Sequence, residues 1–233
     1  MQLSKRLQAV ADLVTPGNRL ADVGTDHGYV PIWLYEQGRI PSAIAMDLRQ
    51  GPLNRAKEII LAHGLSADLE TRLSDGLDRL LPGEADSVVI AGMGGMLVKR
   101  ILTQGQALLP SVQELILQPQ SDLDVVREYL HNTGFVIVRE DMVFEDGKYY
   151  PMMKAIHGES TDDRKVWFQY GRLLLENRHP VLKSYLEKEH DGCQQILAKL
   201  KQASSEVAGR RCEELSQKLC LIEEALAYYG GNT

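Results

Sequence analysis

The chain has 233 residues, of which 44% are hydrophobic and 25% charged, and its formal net charge is −6. This composition is that of an ordinary globular protein and excludes a disordered, collagen-like or low-complexity chain. The acidic excess argues against a protein that coats nucleic acid through charge alone, although a local basic face remains compatible with it.

The three cysteines, Cys193, Cys212 and Cys220, lie near the end of the chain, without a CxxC pair or clustered histidines. Their odd number and spacing predict neither a disulfide framework nor a metal site. The residues after Lys5 and Arg6 form an amphipathic pattern rather than a signal peptide, and no apolar run reaches membrane-spanning length. We therefore expect a soluble, cytoplasmic monomer with no membrane or metal partner.

Short apolar runs alternate with helical patterns from residue 19 to about residue 155. Asp122 is a suitable N-cap for a helix that stops near Gly134, and the turn at 145–147 joins the last two strands as a hairpin. Such alternation predicts a doubly wound α/β fold, with a seven-stranded parallel sheet and an antiparallel edge. Strands are predicted at 20–23, 42–46, 68–73, 87–91, 114–118, 135–138 and 149–156, and helices around 32–34 and at 52–63 and 96–108.

After residue 158 the strand patterns end, and a helix is predicted over 162–177. Two segments then carry apolar residues in steps of three and four, which is the seam of a coiled coil, and Gly209 between them predicts the turn of an antiparallel helical hairpin. The hairpin is either a stabilising tail or an arm that grips a substrate. The seam residues are Leu182, Leu186, Cys193, Ile196, Leu200, Ala203 and Val207, then Leu215, Leu219, Ile222, Leu226 and Tyr229.

The glycine-rich turn after the first strand reads Asp22-Val23-Gly24-Thr25-Asp26-His27-Gly28-Tyr29. Such a turn allows a ligand to approach the backbone at the carboxyl end of a sheet. A dinucleotide enzyme carries a glycine where this chain has Asp26, because a carboxylate there repels a pyrophosphate. The carboxylates suit a cofactor that carries an ammonium and a sulfonium, as S-adenosylmethionine does, although the turn is also compatible with tight packing alone.

Acidic residues follow the next two strands as well. Asp47, followed by Leu48, ends the second strand, where a carboxylate accepts both hydroxyls of a ribose. Asp75 and Gly76 follow the third strand, where a carboxylate takes an adenine amino group. Each acid taken singly is more often a cap or turn residue, but together they predict a nucleoside site without a phosphate subsite, typical of class I methyltransferases.

The fourth strand ends in Ala91-Gly92-Met93-Gly94-Gly95. Methyltransferases that act on exocyclic amines of bases resemble one another in an Asn/Asp-Pro-Pro-aromatic tetrapeptide at this place, and this chain lacks it. The glycines either expose backbone to cofactor and target, as expected for Gly92 and Met93, or form a flexible turn. This departure argues against exocyclic-amine chemistry and leaves ring nitrogens open as targets.

With these residues, the sequence resembles the TrmK family of bacterial tRNA (adenine-22-N1)-methyltransferases along nearly its whole length. The specific parts are the Thr-Asp-His-Gly loop at 25–28 and the Gly-Met-Gly-Gly turn at 92–95. The resemblance is also carried by the segments 3–7, 22–31, 45–47, 74–77, 91–95, 118–120 and 147–151.

The resemblance implies a class I, Rossmann-like methyltransferase domain at 1–158 and a C-terminal helical coiled-coil domain at 159–233. It further implies that S-adenosylmethionine methylates N1 of adenine 22 in the D-arm of tRNA. The predicted cofactor residues are Asp22, Gly24, His27, Gly28, Asp47, Leu48, Asp75, Gly76, Gly92 and Met93. For His27, contact with the cofactor and simple stabilisation of the turn both remain open.

The target side of this chemistry is assigned to Asp26, as an electrostatic group, and to Tyr29, as a stacking platform. A helix cap and a packed aromatic are the alternatives for these two residues. Basic residues are expected to hold the RNA backbone, although each pair taken singly is more often ordinary charged surface. The expected RNA contacts are Lys5, Arg6, Lys99, Arg100, Arg164, Lys165 and Arg172, with Arg210 and Arg211 at the hairpin turn.

Two other functions remain open from the sequence. One is a methyltransferase that acts on another RNA or on a small molecule, which needs no extended arm. The other is a cofactor-binding interaction protein whose coiled coil recruits a partner without catalysis. A nucleotide-dependent oxidoreductase is disfavoured by Asp26 in the phosphate approach.

Overall fold

The alternating strands and helices of the first part of the chain assemble into one seven-stranded sheet. The structure is a computed structural model that describes residues 1–161, 163–200 and 206–230. The strands are β1 (Leu20–Val23), β2 (Ala43–Asp47), β3 (Leu69–Leu73), β4 (Ser87–Met93), β5 (Glu114–Pro119), β6 (Phe135–Glu145) and β7 (Lys148–His157). The helices of this part are α1 (Lys5–Leu13), α2 (Tyr29–Glu36), α3 (Gln50–Ala62), α4 (Gly95–Gln104) and α5 (Leu123–Asn132).

The strand order is β3-β2-β1-β4-β5-β7-β6. The five strands from β3 to β5 are parallel to their neighbours, and β7 is antiparallel to both β5 and β6. The predicted doubly wound, Rossmann-like fold with an antiparallel edge is confirmed. Because strands β1 to β4 are parallel, their carboxyl ends meet along one edge of the sheet.

The central strands are apolar on both faces because helices cover both. In β5, Leu115 and Leu117 pack with the buried residues of α4 and α5, whereas Ile116 packs with those of α1, α2 and α3. This alternation is the period of two expected of a strand buried on both sides.

Three details of the predicted elements differ from the structure. Helix α4 ends at Gln104 rather than at residue 108, since turns and a 3-10 segment at Leu109–Ser111 follow it. Asp122 does occupy the N-cap of α5, but its side chain makes no capping bond and its backbone is left-handed, with φ +49°. Strand β6 continues to Glu145, well beyond the predicted 135–138, because it pairs with β7 along that length.

The chain divides into two compact units, Met1–Ser160 and Thr161–Thr233. The second unit contains α6 (Lys165–Tyr170), α7 (Arg172–Glu176), α8 (Pro180–Leu200) and α9 (Glu206–Ala227). The helix expected over 162–177 is thus two helices, because Gly171 adopts φ +90° and ψ +120° between them, and residue 162 lies outside the described residues.

Helices α8 and α9 run antiparallel, as predicted. Glu189 of α8 pairs with Lys218 of α9, and the Tyr229 hydroxyl donates to the His179 carbonyl oxygen just before α8. The prediction of a turn at Gly209 is wrong, because this glycine lies inside α9.

The predicted apolar stripe is buried at Leu182, Leu186 and Cys193 of α8 and at Leu215 and Ile222 of α9. Two residues of the predicted stripe are not buried. Ile196 is exposed and Leu197 is buried in its place, and Val207 is also exposed. Ala203 lies outside the described residues.

Candidate active site

The carboxyl ends of β1, β2, β3 and β4 surround a cavity of about 690 Å³. This volume falls within the range of cofactor and ligand pockets. The predicted cofactor and target residues that line the cavity are Asp22, Gly24, Asp26, Tyr29, Asp47, Leu48, Asp75, Gly76, Gly92 and Met93, and two predicted RNA contacts, Arg6 and Arg100, line it as well. The other two predicted cofactor residues, His27 and Gly28, lie outside the lining.

Asp22 is a buried carboxylate at the end of β1, with 7% of the residue exposed. Burial raises its pKa from 3.8 to about 6, a hydrogen bond from Thr25 opposes the rise, and the charge of Asp47 adds to it. The Thr25 hydroxyl donates to Oδ2 of Asp22 at 2.6 Å. A buried acid with one neutral partner favours a cation beside it, since a positive charge offsets its desolvation.

Asp47 ends β2 and is also buried, with 7% of the residue exposed. Its Oδ1 accepts the backbone N–H of Arg49 at 2.7 Å, which fixes the direction of the carboxylate. Hydroxyl groups are suitable ligands for a carboxylate held in this way, because it remains a strong acceptor.

Asp75 follows β3 and is half-exposed. Its Oδ1 forms an ion pair with Nη2 of Arg100 in α4 at 3.1 Å. Arg100 was predicted to contact RNA and Asp75 to contact an adenine. The structure instead pairs these two residues with each other. A solvent-exposed pair of this kind contributes only about 0–1 kcal/mol, so either partner is available for another ligand.

The turn after β1 packs against the end of the Met93 side chain at Gly24. A Cβ on Gly24 would lie 2.1 Å from Cε of Met93, and the φ of Gly24 is +74°. The positive φ favours glycine here, and any larger residue would also displace the end of the Met93 side chain. The backbone amides of Gly24 and Thr25 donate to the Met46 carbonyl oxygen of β2 at 2.8 and 2.9 Å, which pins the turn to the sheet.

Asp26 and Tyr29 lie at the mouth of the cavity, and the Asp26 side chain is 77% exposed. His27 has a positive φ of 64°, and its ring stacks on that of Tyr29 with centroids 5.2 Å apart. Its Nε2 lies 3.3 Å from Oδ1 of Asp26, so His27 orders both neighbours from outside the lining. Gly28 is buried, and a Cβ there would touch Ala56 at 3.4 Å, so it serves packing at the start of α2.

The sequence prediction did not place Arg6 or Gln120 in the cavity wall beside β5, since Arg6 was expected to contact RNA. Arg6 of α1 lines this wall together with Gln120, close to Gly92. Nη1 of Arg6 donates to Oε1 of the fully buried Gln118 at 3.0 Å. The available signal was the Gln118-Pro119-Gln120 run at the end of β5, which topology brings to the same edge of the sheet.

The other basic residues expected to hold RNA are dispersed. Lys5, Lys99 and Lys165 are exposed. In the second unit, the guanidinium groups of Arg164 and Arg172 lie 4.9 and 5.0 Å from the Trp167 ring centroid. They also pair with carboxylates, Arg164 with Glu224 and Arg172 with Glu176.

Arg210 and Arg211 lie in helix α9 rather than at a hairpin turn, which corrects the sequence prediction. Arg211 pairs with Glu214 one turn further along the helix at 2.7 Å. Among the described residues, no cluster of His, Cys, Asp and Glu could hold a metal ion, and no helix is long and apolar enough to cross a membrane.

Comparison with known proteins identifies the family. Residues 3–153 match a family model described as a methyltransferase domain. A tRNA (adenine(22)-N(1))-methyltransferase of Bacillus subtilis (strain 168) is 32% identical over 232 residues, which cover 97% of this chain and 98% of the relative. The chain belongs to the TrmK family.

Solved structures of similar proteins include cofactor complexes. A Streptococcus pneumoniae protein crystallised with S-adenosyl-L-methionine is 35% identical, with a TM-score of 0.88, and the match covers 97% of this chain and 100% of that one. TrmK of M. capricolum, in complex with S-adenosyl-homocysteine, is 25% identical, with a TM-score of 0.86 over 98% of this chain and 99% of that one. The solved structures of similar proteins thus have the same class I fold as this chain, as expected for a member of the TrmK family.

Proposed function

We propose that this TrmK family member transfers a methyl group from S-adenosylmethionine to N1 of adenine 22 in the D-arm of tRNA. The observation that carries the proposal is the row of carboxylates Asp22, Asp47 and Asp75 at successive strand ends around one cavity, in a chain of this family. Asp26 in the glycine-rich turn adds a further negative charge and disfavours a pyrophosphate.

The cavity residues fit S-adenosylmethionine by their chemistry. Asp47 would hold the ribose hydroxyls, Asp75 the adenine amino group, and Asp22 the positively charged end. When bound, the cofactor supplies a methyl group made electrophilic by the sulfonium. Gly24 and Gly92 line the cavity without side chains, so they admit close approach of the cofactor to the strand ends.

The residues at the mouth of the cavity would act on the target base. Neutral adenine carries an in-plane lone pair on N1, so no side chain has to remove a proton before attack. Tyr29 would stack on the base and align it, which is where most of the acceleration arises, up to about 7–11 kcal/mol in well-oriented systems. Asp26 would stabilise the positive charge that the base acquires.

The adenine must leave its stack in the folded tRNA, at a cost of a few kcal/mol, and contacts to the RNA backbone would offset this cost. The exposed Lys5 and Lys99 of the first unit and Lys165 of the second are suited to phosphate contacts. The helical segment 159–233, with Arg164, Arg172, Arg210 and Arg211, would supply further contacts as an RNA-gripping arm. The segment 1–158 would be the methyltransferase domain, and the protein would act as a cytoplasmic monomer.

The proposal is tested by incubating the protein with methyl-labelled S-adenosylmethionine and two unmodified tRNA transcripts, which differ only in having A or G at position 22. We expect label in the first transcript, mapped to nucleotide 22, and none in the second. Equal labelling of both transcripts would show that another nucleotide is the target. No labelling of any tRNA, with cofactor still bound, would indicate the non-catalytic alternative.

A further inference from the structure

Arg6 is held in a fixed position inside the cavity wall. Its guanidinium donates to the buried Gln118 side chain and lies over the Tyr150 ring, 5.5 Å from the centroid. Both partners are uncharged, and the Glu145 carboxylate acts on the guanidinium from beyond ion-pair distance, so the N–H donors that face the cavity are not taken by an acid. A virtual Cβ on Gly92 lies 3.6 Å from Nη1 of Arg6, which places the cation beside the tip of β4.

The first turn of α1 is itself anchored. The Ser4 side chain accepts the backbone N–H of Leu7 at 3.3 Å. The Glu145 carboxylate accepts the backbone N–H of Lys5 at 2.7 Å and of Arg6 at 3.3 Å. Burial acts to raise the pKa of Glu145, but the backbone hydrogen bonds from Lys5 and Arg6, a hydrogen bond from Ser4 and the positive charge of Arg6 hold it below its ordinary value. The base of the Arg6 side chain is therefore tied to the β6–β7 turn.

Three arginines line the cavity, and among the described residues only Arg6 forms no ion pair within 4.0 Å. Nε of Arg49 lies 3.7 Å from Oδ1 of Asp47, and Arg100 is paired with Asp75. A half-buried guanidinium with neutral partners is a site for an oxyanion, because such a ligand replaces lost hydration and occupies the free N–H donors.

The strand order indicates which oxyanion would reach Arg6. Along the edge β3-β2-β1-β4-β5, Asp75 at β3 and Asp47 at β2 would take the adenine and the ribose. The amino-acid end of the cofactor would then lie over β1 and the tip of β4, where Gly92 adjoins Arg6. That end carries a carboxylate besides its ammonium, and Asp22 and Asp26 repel a carboxylate.

We propose that Arg6 binds the α-carboxylate of the cofactor's amino-acid end, with Gln118 and Tyr150 holding its guanidinium in position. This inference rests on the proposed cofactor and deepens it, because it assigns to α1 the recognition of one charged group. Arg6 thereby serves the cofactor rather than the RNA backbone.

The test removes each partner of the contact in turn. Binding of S-adenosylhomocysteine and of its decarboxylated analogue, 5′-(3-aminopropylthio)-5′-deoxyadenosine, is measured by calorimetry on wild type and on Arg6→Gln, without RNA. We expect wild type to bind the carboxylated ligand about 10–100-fold more tightly, as for hydrogen bonds to charged groups. Arg6→Gln should reduce this ratio to less than about threefold, and should hardly change binding of the analogue.

Two further variants complete the design. Arg6→Lys keeps the charge but loses the planar donor geometry, so its ratio should be intermediate. Arg55→Gln makes the same chemical change on the exposed face of α3, outside the cavity lining, and should retain the wild-type ratio.

Several results would overturn the inference. If wild type binds the carboxylated ligand and the decarboxylated analogue equally tightly, the carboxylate is not recognised. This result needs no variant, so it can be obtained even if Arg6→Gln does not fold. An unchanged ratio in Arg6→Gln, with a raised KM for tRNA, would assign Arg6 to an RNA phosphate while the proposed function stands. Failure of wild type to bind either ligand would overturn the proposed function itself.

Discussion

At the scale of single residues, Asp47 carries the cofactor proposal most directly. Its carboxylate is buried, faces the cavity and is oriented by the Arg49 backbone N–H. We predict that Asp47→Ala weakens S-adenosylhomocysteine binding by about 100-fold or more, because two charge-assisted hydrogen bonds to the ribose are lost. Isothermal titration calorimetry measures the effect. Glu58→Ala removes an exposed carboxylate of α3 outside the cavity lining and serves as a control. Unchanged affinity in Asp47→Ala would contradict the placement of the ribose.

Asp22 links the site to pH-dependent stability. Its pKa is raised to about 6 in the folded protein, chiefly by burial, above the ordinary value of 3.8. Between these two values the native state binds more protons than the unfolded state, so the contribution of Asp22 to stability falls as pH rises through this window. Above pH 6 the full cost of burying the charge is present, and below pH 3.8 it is absent.

We therefore predict that Asp22→Asn stabilises the cofactor-free protein at pH 7.5, by up to about 3 kcal/mol for a shift of this size. The gain over wild type should shrink as the pH is lowered toward 4. Urea unfolding at both pH values measures it, and calorimetry should show that the variant binds S-adenosylhomocysteine at least about tenfold more weakly. A variant less stable than wild type at pH 7.5 would contradict the assigned cost of burial.

At the scale of elements, α9 offers a test of where the helix begins. Gly209 lies inside α9, its φ is not positive, and a Cβ there would meet nothing within 4 Å. Gly209→Ala should therefore stabilise the protein by about 0.5–1 kcal/mol, the cost of glycine within a helix. Gly192→Ala in α8 is a matched case with the same open surroundings, whereas Gly64→Ala, at φ +72°, should destabilise. Thermal unfolding of the three variants measures this, and loss of stability in Gly209→Ala would restore the turn predicted there.

The elements also show what a sequence can reveal. The central strands were predictable because a strand buried on both faces is a short, continuous apolar run. The extension of β6 was not, because Arg139, Glu140 and Asp141 are charged and pair with β7 at the edge of the sheet. The turn at Gly209 was predicted wrongly because a sequence pattern does not distinguish a glycine tolerated within a helix from a glycine that ends one.

The same contrast holds for the site. Acids at strand ends were predictable, since parallel strands bring their carboxyl ends to one edge. The role of Arg6 was not, because its partner Gln118 lies 112 residues away in the chain, and only the packing of α1 on the sheet brings them together. The sequence shows that Arg164 and Arg172 are cations, but it does not show that both guanidinium groups lie beside the Trp167 ring.

At the scale of the whole molecule, the first unit contains all the residues that line the cavity. It also has buried clusters on both faces of its sheet. We predict that a protein truncated after Ser160 folds and binds S-adenosylhomocysteine with wild-type affinity, but methylates tRNA with a kcat/KM at least about 100-fold lower. Calorimetry and initial-rate assays on the truncated and full-length proteins measure the two effects. Full tRNA activity in the truncated protein would exclude an RNA-gripping arm.

The chemical identity of the product tests the central claim most directly. The tip of β4 reads Gly92-Met93-Gly94-Gly95 and lacks the tetrapeptide that accepts an exocyclic amine, so the methyl group should be placed on a ring nitrogen. Nucleoside mass spectrometry of the methylated tRNA, with authentic 1-methyladenosine and N6-methyladenosine as standards, decides between them. We predict 1-methyladenosine alone, at position 22. N6-methyladenosine, or 1-methyladenosine at another position, would contradict the account.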